Sequence, residues 1–473
     1  MWGAALGSLA LLGAPGPAAA SHRQATIFDP PGLQVVHTTA ERRDRMLDDV
    51  QAVGADSVRL VADWRYFAPD PDDSAKPNGF DGSDPAAYPQ SVWSDLDAAV
   101  RGATRRGLTV LLTADGPAPR WATAGGKKGL NRPDAHEFGQ FVEALGTRYS
   151  GDCVCGGDGA LLPRVSFWSV WNEPNLFIFL RPQLVRGRSV SASIFRPMFL
   201  AAQRALGRSG HRSDPLLVGE LGPNRGSKST TPIAFLRDLL CLERRNHRRR
   251  GCAPIDAAGV SVHPYIHFYT PWGPAPPGHI SIGTLGRLHR VLRIAARTGA
   301  TTHRLPIYVT EFGVETFPSP LSQGAVSQRR QAEYIAISEF LLYKDPWVGS
   351  YAQYLIEDDP IPELHLSFQS GLRLEDGTPK LAWYSFPMTL VARRLGDRVL
   401  LWGHLRPGSG GESVQLEYRD AGGLPRSLAT TYTDENGYFS LRAPYRDGRR
   451  WRATGRTSDG RSLQGVWIRS YRF

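Results

Sequence analysis

The chain has 473 residues, 41% hydrophobic and 10% aromatic, so it can bury a substantial core in one large domain and add a smaller module. Its 50 glycines and 36 prolines argue against a helical bundle and favour many junctions between strands and loops. The net charge is +11, but the densest basic run, 244–250, has no interleaved aromatic residue and matches no nucleic-acid-binding signature. We therefore interpret it as a solvated loop and expect no nucleic-acid partner. The alternative is that the positive charge binds an anionic cell surface or an acidic polysaccharide.

Residues 1–20 have the pattern of a secretory signal peptide. They are small and apolar, and Ala18-Ala19-Ala20 supplies a cleavage site, although the usual basic start is missing. Gly13 and Pro15 interrupt the apolar run, which is too short for a membrane span. We therefore predict a signal peptide over 1–20 and a secreted or cell-surface location.

From 21 to 394, short β-branched runs alternate with longer amphipathic runs, as in a parallel sheet with crossover helices. Predicted strands are 25–28, 57–61, 108–113, 165–171, 216–220, 259–263, 307–311 and 349–355. Predicted helices are 39–53, capped by Thr39, 91–106, capped by Ser91, and 134–149, 231–242, 282–297 and 327–342. Eight such units predict an α/β fold, a (β/α)8 TIM barrel whose active site lies at the C-terminal strand ends.

Four cysteines lie within the predicted barrel. In an exported protein Cys241 and Cys252 would form a disulfide around the basic run. Cys153 and Cys155 would then either pair in a small strained ring or stay reduced. A zinc site is a poor alternative, because no spaced histidine pair accompanies Cys153 and Cys155.

Residues 395–473 change to short alternating strands separated by turns, which predict a small all-β sandwich domain. Within it, Asn436-Gly437 predicts a hairpin between the strands on either side. The segment has no cluster of paired carboxylates, so we expect it to support the barrel or bind a surface and to do no chemistry.

Two predicted barrel strands deliver a glutamate at their C-terminal ends. Glu173 follows the fourth strand, and Glu311 ends the seventh. Glycoside hydrolysis usually needs two carboxyl groups, one to protonate the leaving oxygen and one to attack the anomeric carbon or activate water. Either glutamate alone would more often be a helix cap or an exposed charge, but the pair predicts a glycosidase site.

Other polar and aromatic residues lie at or near the same strand ends. Alone, each would more often be a packing residue, but their shared position predicts a substrate-binding site. These predicted binding residues are Arg59, Trp64, Trp121, Asn172, His263, Tyr265 and Gln353.

The motifs Trp171-Asn172-Glu173-Pro174 and Thr310-Glu311-Phe312-Gly313 resemble those of glycoside hydrolase clan A, the retaining (β/α)8 enzymes. With Val58-Arg59-Leu60 and His263-Pro264-Tyr265, the resemblance extends to families 5 and 39. It covers about residues 25 to 390.

The resemblance implies a role for several residues and requires neither a metal nor a cofactor. Glu173 would be the general acid/base and Glu311 the nucleophile. Asn172 would bind the sugar 2-hydroxyl, Tyr265 and Arg59 would hold Glu311 ionised, and His263 would line the subsite where the bond is cut.

Two departures affect the sugar subsite rather than the carboxylates. Thr113-Ala114-Asp115-Gly116 stands where many relatives carry a histidine, and Gln353-Tyr354 stands where many family 5 members place a tryptophan. The favoured reading is an exported retaining glycosidase acting on a poly- or oligosaccharide. A catalytically silent carbohydrate-binding protein on the same barrel is the alternative. A structural surface protein would explain neither glutamate.

Overall fold

A closed barrel of eight parallel strands forms the larger part of the molecule. The computed structural model describes residues 24–30, 32–126, 128–223, 226–243, 245–266, 270–317, 325–360 and 368–473. The barrel strands are β1 (Ala25–Asp29), β2 (Ser57–Asp63), β3 (Thr109–Asp115), β4 (Phe167–Val170), β5 (Leu216–Leu221), β6 (Gly259–Val262), β7 (Ile307–Val309) and β8 (Val348–Tyr354). They follow one another around the barrel in chain order, and β8 pairs with β1 to close it. All eight C-terminal strand ends therefore meet at one rim, as the sequence predicted.

Helices surround the barrel. They are α1 (Ala40–Ala52), α2 (Gln90–Arg105), α3 (Ala135–Arg148), α4 (Ser191–Arg208), α5 (Pro232–Leu239), α6 (Gly286–Arg297), α7 (Gln328–Tyr343) and the short α8 (Leu381–Ser385). Two further short helices span Gly32–Val35 and Trp64–Phe67. No helix in the described part of the chain is long and apolar enough to cross a bilayer.

Two helix caps were predicted from the sequence, and the structure confirms one of them. Thr39 accepts a hydrogen bond from the backbone of Arg42, which confirms the predicted cap of α1. The prediction that Ser91 caps α2 is wrong, because the helix begins at Gln90 after Pro89. The sequence reading also missed α4, which carries Pro197 inside it.

A second, mostly antiparallel sheet follows the barrel. Its strands are β9 (Met388–Leu395), β10 (Arg398–Leu405), β11 (Ser413–Arg419), β12 (Arg426–Tyr432), β13 (Tyr438–Pro444), β14 (Arg450–Arg456), β15 (Ser462–Gln464) and β16 (Ile468–Tyr471). They enclose their own apolar core, which includes Trp451 and Phe439. The fold is thus a TIM barrel followed by a β-sandwich domain. The sequence-based boundary at 394/395 falls inside β9, so the second sheet begins at Met388 instead.

The predicted hairpin at Asn436-Gly437 is wrong. A tight turn does form there, since the backbone of Gly437 donates to the carbonyl of Asp434. The strands on either side do not pair with each other, because β12 pairs with β11 and β13 pairs with β10. The turn therefore connects strands at opposite ends of the sheet path, because a local turn signal does not decide which strands pair.

Buried ion pairs connect the two domains. Glu339 of α7 contacts Arg406, just beyond β10, and accepts a hydrogen bond from His404 at 2.7 Å. Arg406 is fully buried with Glu339, and the pKa of Glu339 is lowered to about 2 because attraction to Arg406 and His404 outweighs the effect of burial. A buried charge pair requires both partners, so the two domains are energetically coupled.

All four cysteines are bonded in the structure. The predicted disulfide between Cys241 and Cys252 is confirmed. Of the two alternatives for Cys153 and Cys155, the structure shows the pair bonded to each other. The predicted signal peptide, 1–20, lies outside the described residues and stays a prediction.

Candidate active site

Glu173 and Glu311 lie at the C-terminal rim of the barrel. Strand β4 ends at Val170, slightly before the predicted end, and the chain then bends sharply so that Trp171 and Glu173 both adopt positive φ values of 61° and 39°. Such backbone conformations are unfavourable for residues other than glycine and concentrate at functional sites. Glu173 is buried, while Glu311 keeps 13% of its side chain exposed.

The two carboxylates converge on His263. One oxygen of each glutamate and one ring nitrogen of His263 lie within 4.8 Å of one another. His263 Nδ1 is 3.0 Å from Glu173 Oε1 and 3.4 Å from Glu311 Oε2. Burial alone would lower the pKa of His263, but attraction to Glu311 and the hydrogen bond with Glu173 raise it to about 9. His263 is therefore a cation between two carboxyl groups at neutral pH.

Tyr265 and Arg59 hold Glu311. The hydroxyl of Tyr265 donates to Glu311 Oε1 at 2.7 Å, and Arg59 Nη1 lies 3.6 Å from Glu311 Oε2. Burial and the charge of Glu311 raise the pKa of Tyr265 well above its usual value, so the hydroxyl remains a donor. A hydrogen-bond donor and a cation directed at the same carboxylate fix its orientation in the site.

Arg59 is the centre of a buried network that links five strands. It donates to Asp29 Oδ2 at 2.9 Å, Thr113 Oγ1 at 3.1 Å and Asn172 Oδ1 at 3.1 Å, and it contacts Glu220. Because the side-chain oxygen of Asn172 is held by Arg59, its NH2 group is the part it can offer to a sugar. Asn172 is half-buried, and its backbone donates to Asp115 Oδ1 at 2.7 Å.

Glu220, Asp29 and Asp115 were missed by the sequence reading. Glu220 lies in β5, is fully buried, and has a positive φ of 45°. Asp29 ends β1 and Asp115 ends β3. The signal that identified Glu173 and Glu311, a carboxylate at the end of an apolar strand, was present at all three positions and could have found them.

The site contains more buried carboxylates than cations. Arg59 and His263 are surrounded by Asp29, Glu173, Glu220 and Glu311. Full ionisation would leave negative charge uncompensated, and burial of such charge is costly. Accordingly, burial raises the pKa of Asp29 to about 8 even though Arg59 opposes the shift, and burial raises that of Asp115 to about 7. The carboxyl groups of Asp29 and Asp115 therefore hold their protons up to a higher pH than exposed aspartates do.

Two predicted binding residues, Trp64 and Gln353, do not present a free side chain to this cluster. Trp64 is 1% exposed and packs between Phe138 and Phe141, so it is a core residue with no face for a sugar. Gln353 is fully buried, and its NH2 group donates to backbone carbonyls, including that of Ser370 at 2.9 Å. These placements correct the expectation of substrate contact for Trp64 and Gln353.

Trp121 has a different environment. It is half-buried, its indole N–H donates to the carbonyl of Pro69 at 3.1 Å, and its ring packs on Phe80 and Trp64. A partly exposed aromatic ring near the end of β3 could contact a sugar, so its predicted role stays a prediction.

The loop after β5 packs against the carboxyl group of Glu173 at Gly222. A Cβ atom placed on Gly222 would lie 2.5 Å from Glu173 Cδ and 2.6 Å from Oε1. Asn175 fixes this loop in both directions, because it accepts from the backbone of Gly222 at 2.9 Å and donates to the carbonyl of Gly222 at 2.9 Å. Only glycine leaves room for the carboxyl group of Glu173 in this position.

The triad of Glu173, His263 and Glu311 also has the composition of a metal site. Oxygen and imidazole ligands suit several divalent ions. The neighbouring guanidinium of Arg59, 3.6 Å from Glu311, and the charge on His263 oppose a second cation at this point. The donor set therefore fits proton transfer better than metal binding.

A cavity of about 1190 Å³ lies elsewhere in the molecule. It is lined by residues at the start of barrel strands, such as Ser57 and Thr109, and by sandwich residues such as Arg406 and Arg461. In this fold the N-terminal rim serves stability, and the catalytic groups lie at the other rim. Geometry, rather than cavity volume, therefore identifies the candidate site.

Comparison with solved structures agrees with this fold. The chain is similar to a glucosidase from Croceicoccus marinus, with 14% identity, a TM-score of 0.54, and coverage of 90% of this chain and 94% of that one. It is also similar to a family 39 glycoside hydrolase from the gut symbiont Bacteroides cellulosilyticus, with 14% identity, a TM-score of 0.52, and coverage of 92% and 82%. No protein-family model matches the sequence, and a search of curated proteins gives no significant match. At these identities the likeness concerns the fold, and the chemistry must be inferred from the site.

Proposed function

We propose that this protein is an exported glycoside hydrolase that cleaves O-glycosidic bonds of a poly- or oligosaccharide and retains the anomeric configuration. The observation that carries the proposal is the approach of Glu173 and Glu311, whose nearest carboxylate oxygens lie within 4.8 Å at the C-terminal rim. Retaining enzymes hold their carboxyl groups roughly 5–5.5 Å apart, and inverting enzymes about 6.5–9.5 Å apart. The approach of one oxygen of each group to within 4.8 Å supports direct attack by one carboxylate over activation of a water between them.

In the first step, Glu311 attacks the anomeric carbon while Glu173 protonates the departing glycosidic oxygen. A covalent glycosyl-enzyme forms, and the leaving alcohol departs with the proton of Glu173. Arg59 and Tyr265 support the charged form of Glu311 before attack. The hydrogen bond between His263 Nδ1 and Glu173 Oε1 gives a path along which one proton can be shared between these two residues.

In the second step, Glu173 acts as a base. It removes a proton from a water molecule, which attacks the anomeric carbon and releases Glu311 as a carboxylate. Two displacements at the same carbon restore the original configuration. The negative charge of Glu311 is absent in the intermediate, which is why one residue can be an acid in the first step and a base in the second.

Two further observations support the remaining parts of the proposal. The likeness in fold to a glucosidase and to a family 39 glycoside hydrolase agrees with a carbohydrate substrate. The disulfide between Cys241 and Cys252, together with the signal-peptide pattern at 1–20, supports export, because such bonds persist in oxidising compartments.

Turnover of a panel of β-aryl glycosides tests the reaction, and NMR of the first-formed anomer tests retention. Glu311→Ala should abolish turnover of every substrate. Glu173→Ala should spare the first step for a dinitrophenyl glycoside, which needs no acid, and azide should restore turnover because it needs no base. Equal loss on good and poor leaving groups with no effect of azide would refute the role of Glu173. A folded protein that binds oligosaccharides but turns over no glycoside would instead be the silent carbohydrate-binding protein.

A further inference from the structure

A loop rich in arginine lies on the outside of the barrel and is not used by the proposed reaction. We define the arginine loop as residues 245–250, enclosed by the disulfide between Cys241 and Cys252. It follows α5 and precedes β6, so the chain here returns towards the N-terminal rim. Arg248 confirms this position, because it contacts the carbonyl of Gly299 just beyond the C-terminal end of α6. Catalytic carboxylates lie at the opposite rim.

The loop has a defined shape. The disulfide closes its base, and Arg196 of α4 contacts the carbonyls of Leu239 and Ala253 on either side of that base. Within the loop, the backbone of Glu243 donates to the carbonyl of His247 at 2.9 Å, and Arg237 donates to Asn246 Oδ1 at 3.1 Å. These contacts hold the arginines on a fixed frame, which reduces the entropy lost when they bind a partner.

In the described part of the chain, positive charge exceeds negative charge in this region, although Arg237 and Arg249 interact with Asp238. The six arginines concerned are Arg196, Arg237, Arg245, Arg248, Arg249 and Arg250. None of them makes a salt bridge to a carboxylate in the part of the chain that the structure describes. The nearby acids are Asp238, which is hydrogen-bonded to Ser189, and Glu243. Burial and repulsion from Arg249 lower the pKa of Arg196, which agrees with excess positive charge here.

The chemistry of the loop indicates its partner. Arginine presents a planar fork that matches carboxylate and phosphate groups, and Arg245, Arg249 and Arg250 are exposed. No large exposed apolar side chain of the described structure lies between 237 and 252, so the loop has nothing to insert into a bilayer or to stack on nucleic-acid bases. Binding to a polymer of charged sugars requires neither insertion into a bilayer nor stacking on bases.

We propose that the arginine loop is a docking site for an acidic polysaccharide, separate from the catalytic site. Binding would fix the enzyme to a polyanionic matrix while the catalytic rim faces away from it. This inference does not depend on the proposed glycosidase activity, because docking can be measured without turnover.

Binding of sodium polygalacturonate to the full chain tests the proposal, by calorimetry at 50 and 200 mM NaCl, salt concentrations at which charge-driven binding differs strongly. The test variant replaces Arg245, Arg249 and Arg250 with Gln. A matched control replaces three exposed sandwich arginines, Arg398, Arg426 and Arg442, with Gln and so removes the same net charge. We expect the test variant to bind roughly tenfold or more weakly, and its salt slope to fall by roughly two to three. The control should bind like the wild type.

Other outcomes would overturn the proposal. Unchanged binding by the test variant, or equal weakening by the control, would show that the loop is not the site. Tighter binding of duplex DNA or phosphatidylserine vesicles than of polygalacturonate, lost in the test variant, would assign the loop to a different partner. The thermal midpoint and aryl-glycoside turnover of both variants should match the wild type, which shows that any loss concerns docking and not folding.

Discussion

Gly222 offers a way to displace the proposed acid/base, Glu173, with little damage to the fold. In Gly222→Ala, the added Cβ would lie 2.5 Å from Cδ and 2.6 Å from Oε1 of Glu173. Ordinary carbon contacts are about 3.5 Å or more, so the carboxyl group must move by roughly 1 Å. It can do so by side-chain rotation, because the atoms that clash are at the end of a flexible side chain. The fold should therefore lose little stability, while the 3.0 Å contact with His263 is broken.

The expected effect on catalysis follows from that displacement. A 1 Å misplacement of a reacting group can cost about 100-fold in rate, or about 3 kcal/mol of transition-state stabilisation. We expect kcat/KM for an aryl glycoside with a poor leaving group to fall by roughly that factor. The first step on a dinitrophenyl glycoside should fall much less, since Glu173 is not needed as an acid there. Stopped-flow release of the phenol separates the two steps.

Gly226→Ala is the matched control for this experiment. Gly226 lies further along the same connection, and a Cβ placed there would meet no heavy atom of the described residues within 4 Å. It should retain wild-type activity and stability. If Gly222→Ala stays within twofold of the wild type on poor leaving groups while its thermal midpoint is unchanged, then the position of Glu173 does not limit the reaction and the reasoning fails.

Two further predictions concern buried charges. Arg406→Met should lower the free energy of unfolding by about 3–5 kcal/mol, measured by urea titration, because it leaves Glu339 buried without its cation. Adding Glu339→Gln to this variant should recover part of the loss. An Arg406→Met variant as stable as the wild type would contradict this prediction. Glu220→Gln removes a negative charge that helps to raise the pKa of His263 to about 9, so the alkaline limb of the kcat/KM profile should move to lower pH. Because that pKa is raised above its usual 6.5, the stability contributed by the His263 cation is complete below pH 6.5 and is lost as pH rises through about 9. An unshifted limb in Glu220→Gln would show that Glu220 is not coupled to His263.

The neighbourhood of the two glutamates shows what strand patterns can predict. Parallel strands of three to seven residues place their last residues at one rim whatever the details of packing, so Glu173 and Glu311 could be assigned to one site from their positions alone. The same reasoning placed Arg59, His263 and Tyr265 there. It applies equally to Glu220, Asp29 and Asp115, but two carboxylates already account for glycoside hydrolysis, so the chemistry alone does not call for the other three.

Side-chain direction was decided only by tertiary packing. Successive residues of a strand point to opposite faces, and a residue just past a strand end can turn inwards or outwards. Trp64 turned into the aromatic core between helices, and Gln353 was bound by backbone carbonyls, although both lie near the correct rim. Strand pairing in the sandwich was also a tertiary outcome, since the turn at Gly437 fixes a local reversal but not which strands lie side by side.

The sequence by itself determined the barrel, the placement of Glu173 and Glu311 at one rim and the second β domain, because hydrophobic periodicity and strand order act locally and are written along the chain. Only the tertiary structure decided the charge state of the site. Arg59 and His263 each contact carboxylates that are far away in sequence, at 2.9 Å for Asp29 and 3.0 Å for Glu173. Their protons are set by burial and by distances between these groups, and such quantities exist only once the barrel has closed.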